Sequence, residues 1–187
     1  DDEQFDLDRD QLLGSMQKGG VGTIVNVGAS LASSRASVSL AERYPFIYAA
    51  VGVHPDHAGE MDEDGLRELR RLCGGDKVVA VGEIGIDRHF PDNPSVELQR
   101  ELFVRQIALA DDAGLPIVVH SRDGAAETLD ILRANAAKLK RGGLMHCYSY
   151  SAEMTGAFAA LGMYFSFGGT STFKNAKKVH ESARAVP

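Results

Sequence analysis

Cysteine is scarce in this 187-residue chain: Cys73 and Cys147 are the only two, in unrelated contexts and without a C-x-x-C spacing. Neither a disulfide framework nor a cysteine-rich zinc site is expected, and both are read as free thiols. Long apolar runs are missing as well, none approaching the roughly 20 residues a membrane helix needs. The opening Asp1-Asp2-Glu3-Gln4 is the opposite of a basic, apolar signal peptide. These absences predict a cytoplasmic protein with no membrane association, and no feature calls for an obligate protein partner. Positive charge is in deficit, with 20 Lys and Arg against 26 Asp and Glu and a formal net charge of −6. A broad basic surface that tracks nucleic acid by counterion release is therefore excluded. If the substrate is a phosphodiester, metal ions and a few local arginines must hold it. The chain also lacks a G-x-S-x-G elbow, a G-x-x-x-x-G-K-[ST] loop and a G-x-G-x-x-G turn after a strand, so serine-nucleophile, nucleotide-triphosphatase and dinucleotide chemistries have no support.

What the chain does contain is a repeat of short apolar runs, each followed by a longer segment of helical period, the pattern of βα units around a parallel sheet. Strands are predicted at Thr23–Ala29, Ile47–Val53, Val78–Glu83, Pro116–His120, Gly143–Cys147 and Met163–Gly168. Their near-continuous apolar character suggests burial on both faces. Helices are predicted at Leu31–Arg43, Asp64–Leu72, Ser95–Ala113, Ala125–Leu139 and Ala152–Leu161, with flanking helices at Leu7–Lys18 and Lys174–Ala185. Gly114, Gly142 and Gly162 are placed as C-terminal stops. In Ser95–Ala113, Leu98, Leu102, Ile107, Leu109 and Ala113 make an apolar stripe, with Gln99, Arg100, Glu101 and Arg105 opposite. No low-complexity linker divides the chain, so residues 1–187 read as one α/β domain. Six strands fit either an open doubly wound sheet or part of an eight-stranded (β/α)8 TIM-type barrel.

The position of the polar residues favours the barrel. Glu83, His120 and His146 each close an apolar run, and His54 follows Ile47–Val53. Strand C-termini converge on one mouth in a barrel, so residues far apart in sequence meet there. A carboxylate after Val78-Val79-Ala80-Val81-Gly82 is costly to desolvate without a cation. One carboxylate and two imidazoles make a divalent-metal set suited to zinc, and to manganese or magnesium with further oxygen ligands. The alternative is three separately satisfied polar groups. His57, His89 and His180 read as surface or hydrogen-bonded histidines. The glycines of Gly82-Glu83-Ile84-Gly85 are expected to let the backbone turn tightly beside a ligand.

Four blocks in order, Val51-Gly52-Val53-His54-Pro55, Val81-Gly82-Glu83-Ile84-Gly85-Ile86-Asp87, Val118-Val119-His120-Ser121-Arg122-Asp123 and Met145-His146-Cys147-Tyr148-Ser149, resemble the motifs of TatD-type deoxyribonucleases. The resemblance implies a metal-dependent TIM-barrel hydrolase that cleaves phosphodiester bonds in DNA, with RNA as the alternative substrate, as a 3′-5′ exonuclease on single strands with two divalent ions (Mg, Mn or Zn). It implies that Glu83 bridges the ions, that His120 and His146 complete the second ion's protein ligands, that Arg122 and Ser149 contact phosphate, and that His54 positions substrate or water. The family's H-x-H pair is expected before Asp1 and its last aspartate ligand after Pro187, which leaves about six barrel strands here. Arg88 stands where an aromatic residue is common, and its charge is expected to alter substrate preference. The alternatives are an amidohydrolase-type barrel acting on a small ester, amide or phosphotriester, and a non-catalytic remnant that binds metal or nucleic acid.

Overall fold

Three helices begin where a side-chain oxygen caps them: Ser30 accepts from the Ser33 N–H, Asp62 from Gly65 and Ser95 from Leu98. Each cap satisfies an otherwise orphaned donor of the first turn. A computed structural model describes residues 1–187. The elements are α1 (Arg9–Met16), β1 (Ile24–Val27), α2 (Leu31–Arg43), β2 (Ile47–Val51), α3 (Glu63–Leu72), β3 (Val78–Asp87), α4 (Val96–Ala113), β4 (Ile117–Arg122), α5 (Ala125–Ala134), β5 (Gly143–Met145), α6 (Ala152–Ala159), β6 (Met163–Phe165) and α7 (Lys177–Ala185). Short 3-10 turns at Pro55–Glu60 and Ala136–Lys138 stand where no separate element was expected, the second beyond a break at Asn135 that shortens the predicted Ala125–Leu139 helix.

All six strands pair in parallel in the sequential order β1 to β6, and β1 and β6 are the sheet edges. The helix-facing side is the main core: Ile47, Ala49 and Val51 of β2, Val81, Ile84 and Ile86 of β3, Ile117 and Val119 of β4 and Met145 of β5 pack with Phe103 and Ile107 of α4 and Leu132 of α5. The concave side is thinner, with Ala50, Ala80 and Val118 at its centre and Val27 and Leu144 against them. Burial on both faces, expected for all six strands, therefore holds only in the middle of the sheet. Val25 of β1 is 45% exposed and Tyr164 of β6 is 77% exposed, because edge strands have a neighbour on one side only.

Helix α4 ties the site-bearing strand ends to the core by polar rather than apolar contacts. Gln106 accepts from the Val53 N–H at 2.8 Å and donates to the Val53 carbonyl at 2.9 Å. Gln99 does the same for Asp87, at 2.9 Å in each direction. Both glutamines are buried, which reverses the expected polar placement of Gln99, whereas Leu98 is 38% exposed. Leu102, Ile107 and Leu109 of the expected apolar stripe are buried, and the stripe departs from expectation at Leu98, at Gln99 and at its end, where Ala113 is exposed.

Candidate metal centre

Strand parity brings the candidate residues to one place. Alternate residues of a strand share a face, so His120 lies on the concave side with Val118, and His146, just beyond β5, follows Leu144. Glu83 needs one further step. Val81 and Ile84 both face the helix-side core although three residues apart, and they pair with Ile117 and Val119, which are two apart. The extra residue in β3 is a bulge that switches parity and turns Glu83 inward. β3 then continues to Asp87, so Glu83 lies inside this strand and not at its end, and the glycines do not make the expected tight turn. Gly85, at φ +151°, instead lets β4 come close: a Cβ there would stand 1.8 Å from the His120 carbonyl oxygen.

Glu83 Oε1 is the hub. It lies 2.8 Å from His146 Nδ1 and 3.2 Å from His120 Nδ1. The His54 ring meets His120 edge to face with centroids 4.1 Å apart, and the donor atoms of His54, Glu83 and His120 all fall within 4.8 Å of one another. His54 therefore joins the group able to hold an ion, beyond the positioning role expected from sequence. His146 stands outside that triad and contacts the same carboxylate oxygen as His120.

The electrostatics require a cation or protons between these groups. Burial alone would raise the Glu83 pKa, but the hydrogen bonds to His120 and His146 outweigh it and hold the carboxyl at about 2. The Glu83 bond likewise raises His146 against burial, and burial opposes but does not overcome the Glu83 and Asp87 bonds that raise His120. His120 Nε2 lies 3.0 Å from Asp87 Oδ2, and an ionised carboxylate, which can only accept, favours a proton on Nε2. When His120 is neutral, its Nδ1 lone pair faces an ionised carboxylate, and that contact is repulsive unless a positive charge sits between them. Two bonds of about 2.0–2.1 Å at a tetrahedral angle separate ligand atoms by roughly 3.3 Å. The His120 spacing already matches, the His146 spacing is about half an ångström shorter, and the donor set fits a divalent ion. His54 differs in sign: burial and the neighbouring His120 lower its pKa, and its Nδ1 is held by the Asp56 carboxylate at 2.6 Å.

The remaining predicted residues are less engaged. Arg122, at the end of β4, is exposed with its guanidinium 5.1 Å over the Phe90 ring, and Ser149 is exposed in the loop after β5. Arg88 donates to Glu127 at 2.6 Å, so its charge is offset by an ion pair. His57, His89 and His180 bond to Glu60, Asp123 and the Ser171 carbonyl at 3.1, 2.9 and 2.7 Å, as expected of surface histidines. Sequence reasoning missed Asp87, whose alternation with Ile84 and Ile86 in β3 was the available signal.

A TIM-type parallel sheet with a carboxylate between imidazoles at its mouth defines a class, that of metal-dependent barrel hydrolases. Residues 1–187 match the family described as TatD related DNase throughout, and the chain belongs to that family. It is 40% identical over 185 residues to the uncharacterized metal-dependent hydrolase YabD of Bacillus subtilis, covering 99% of this chain and 72% of YabD. It is 34% identical over 167 residues to the 3′-5′ ssDNA/RNA exonuclease TatD of Cronobacter sakazakii, covering 89% of this chain and 62% of that protein. The crystal structure of the TatD homologue YjjV from Escherichia coli superposes with a TM-score of 0.92 at 32% identity, over all of this chain and 72% of YjjV. The chain is thus shorter than each of these relatives.

Proposed function

We propose that this chain carries the divalent-metal centre of a hydrolase that removes nucleotides from the 3′ end of single-stranded DNA or RNA in the cytoplasm. The observation that carries the reading is the contact of one ionised carboxylate with two imidazole Nδ1 atoms at 2.8 and 3.2 Å at the sheet mouth. The Cronobacter relative is named as a 3′-5′ exonuclease on single-stranded DNA and RNA. Glu83 and the imidazoles would hold a divalent ion, which would supply polarisation of a phosphoryl oxygen and activation of water. In this reading Glu83, His120 and His146 would hold the ion. His54, kept neutral by burial and by His120, orients water or accepts its proton. Arg122 and Ser149, both exposed at the mouth, take the phosphates, and the guanidinium can engage two oxygens of one phosphate. No helix is long and apolar enough to cross a membrane.

The test is release of nucleotides from 5′-labelled single-stranded DNA and RNA by the protein that carries these residues. Manganese or magnesium should support stepwise shortening from the 3′ end, chelator should abolish it, and Glu83→Ala should lower it at least ~100-fold, since losing even a residue that only hydrogen-bonds to a metal ligand costs about 10- to 100-fold. Undiminished hydrolysis in chelator or in Glu83→Ala contradicts the proposal.

A further inference from the structure

We propose that Asp87 is a positioning residue for the metal centre, holding His120 through Nε2 so that Nδ1 is the atom offered to a divalent ion. The Asp87 side chain is 4% exposed, and its partner is His120, at 3.0 Å from Oδ2. Its other oxygen, Oδ1, accepts the His89 N–H at 2.8 Å. The backbone is fixed as firmly: the Asp87 N–H and carbonyl are both bonded to Gln99, and Asn93 adds a donor to the carbonyl at 3.3 Å. Side chain and main chain thus leave Asp87 little freedom to move.

A stabilising role does not account for a charge at this position. An asparagine could still accept the His89 N–H and would avoid burying a carboxylate, which is costly even when paired. What only a carboxylate supplies is an acceptor that forces the proton of His120 onto Nε2. The lone pair then resides on Nδ1, the nitrogen 3.2 Å from Glu83 Oε1. An outer carboxylate on a ligating imidazole also raises its basicity, and losing such partners typically costs about 10- to 100-fold in metal affinity. In Asp87→Asn the side-chain NH2 faces Nε2 and favours the opposite tautomer, with a proton on Nδ1 where the ion should bind.

The proposal concerns metal binding alone and stands apart from any choice of substrate. The experiment is calorimetric titration of zinc into the wild-type protein, Asp87→Asn, His120→Ala and the double variant, with thermal unfolding run beside it. Asp87→Asn should remain folded and bind zinc ~10- to 100-fold more weakly. In the His120→Ala background the same change should cost less than about threefold, because the ligand it positions is gone. Loss of the same size in both backgrounds shows a general structural role and overturns the proposal, as does unchanged affinity in Asp87→Asn. Nitrogen-15 spectra of the zinc-loaded wild-type protein give a reading that needs no variant. They should show His120 protonated at Nε2, and protonation at Nδ1 overturns the assignment.

Discussion

Replacing Gly85 by alanine tests how the fold places His120. Gly85 pairs with His120 across β3 and β4, and an added Cβ would meet the His120 carbonyl oxygen at 1.8 Å, a backbone atom that no rotamer change can move aside. Reaching even a tight contact near 3.2 Å requires β4 to retreat by more than 1 Å at its metal-binding residue. The backbone at φ +151° is also one that alanine rarely adopts, and such strain costs ~1–3 kcal/mol. Overpacking adds about 1–3 kcal/mol, so Gly85→Ala should lose roughly 2–6 kcal/mol in urea unfolding, a large part of the stability of a domain this size. Moving His120 away from Glu83 should also weaken zinc binding at least ~10-fold, because ligand sets tolerate only about 0.5 Å of misplacement. A variant within 1 kcal/mol of wild type that binds zinc equally well refutes the account of why this glycine is there.

Gln106→Leu should destabilise the protein by ~2–6 kcal/mol, since both the N–H and the carbonyl of Val53 lose their buried partner and each orphaned group costs about 1–3 kcal/mol; urea midpoints within 0.5 kcal/mol of wild type contradict this. Zinc binding should release protons, because the ion replaces those held by His120 and His146, and affinity should rise as pH increases through and above 6.5; titrations in buffers of different ionisation enthalpy measure the release, and none near pH 6.5 counts against the reading. Without divalent ions, the contribution of His120 and His146 to stability is fully present below their unfolded pKa of 6.5 and fades as pH rises through their raised folded values. His54, with a lowered pKa, opposes this below pH 6.5, and unfolding midpoints between pH 5.5 and 8.5 measure the net slope.

Much of this architecture was legible because local signals agree with the fold. Leu31–Arg43 emerges at its expected bounds, with Ser30 as its cap, and each predicted strand is found. The apolar runs ending near Glu83, His120 and His146 mark the three residues that meet at the hub. Where reading failed, a tertiary effect overrode a local rule. Polar type places Gln99 outside, yet the main-chain groups of Asp87 need partners in the core. Ending β3 at Glu83 hid the bulge and cut off the Ile84, Ile86 alternation that would have turned Asp87 inward with Glu83. The nearness of His54 to His120 depends on how β2 and β4 flank β3, which no sequence spacing records.

Anomalous diffraction from zinc-loaded crystals of the protein tests the central claim most directly. A peak about 2.0–2.2 Å from a Glu83 carboxylate oxygen and from Nδ1 of both His120 and His146 is the predicted result. A zinc ion held only elsewhere, with Glu83 still bonded to both imidazoles, would contradict it.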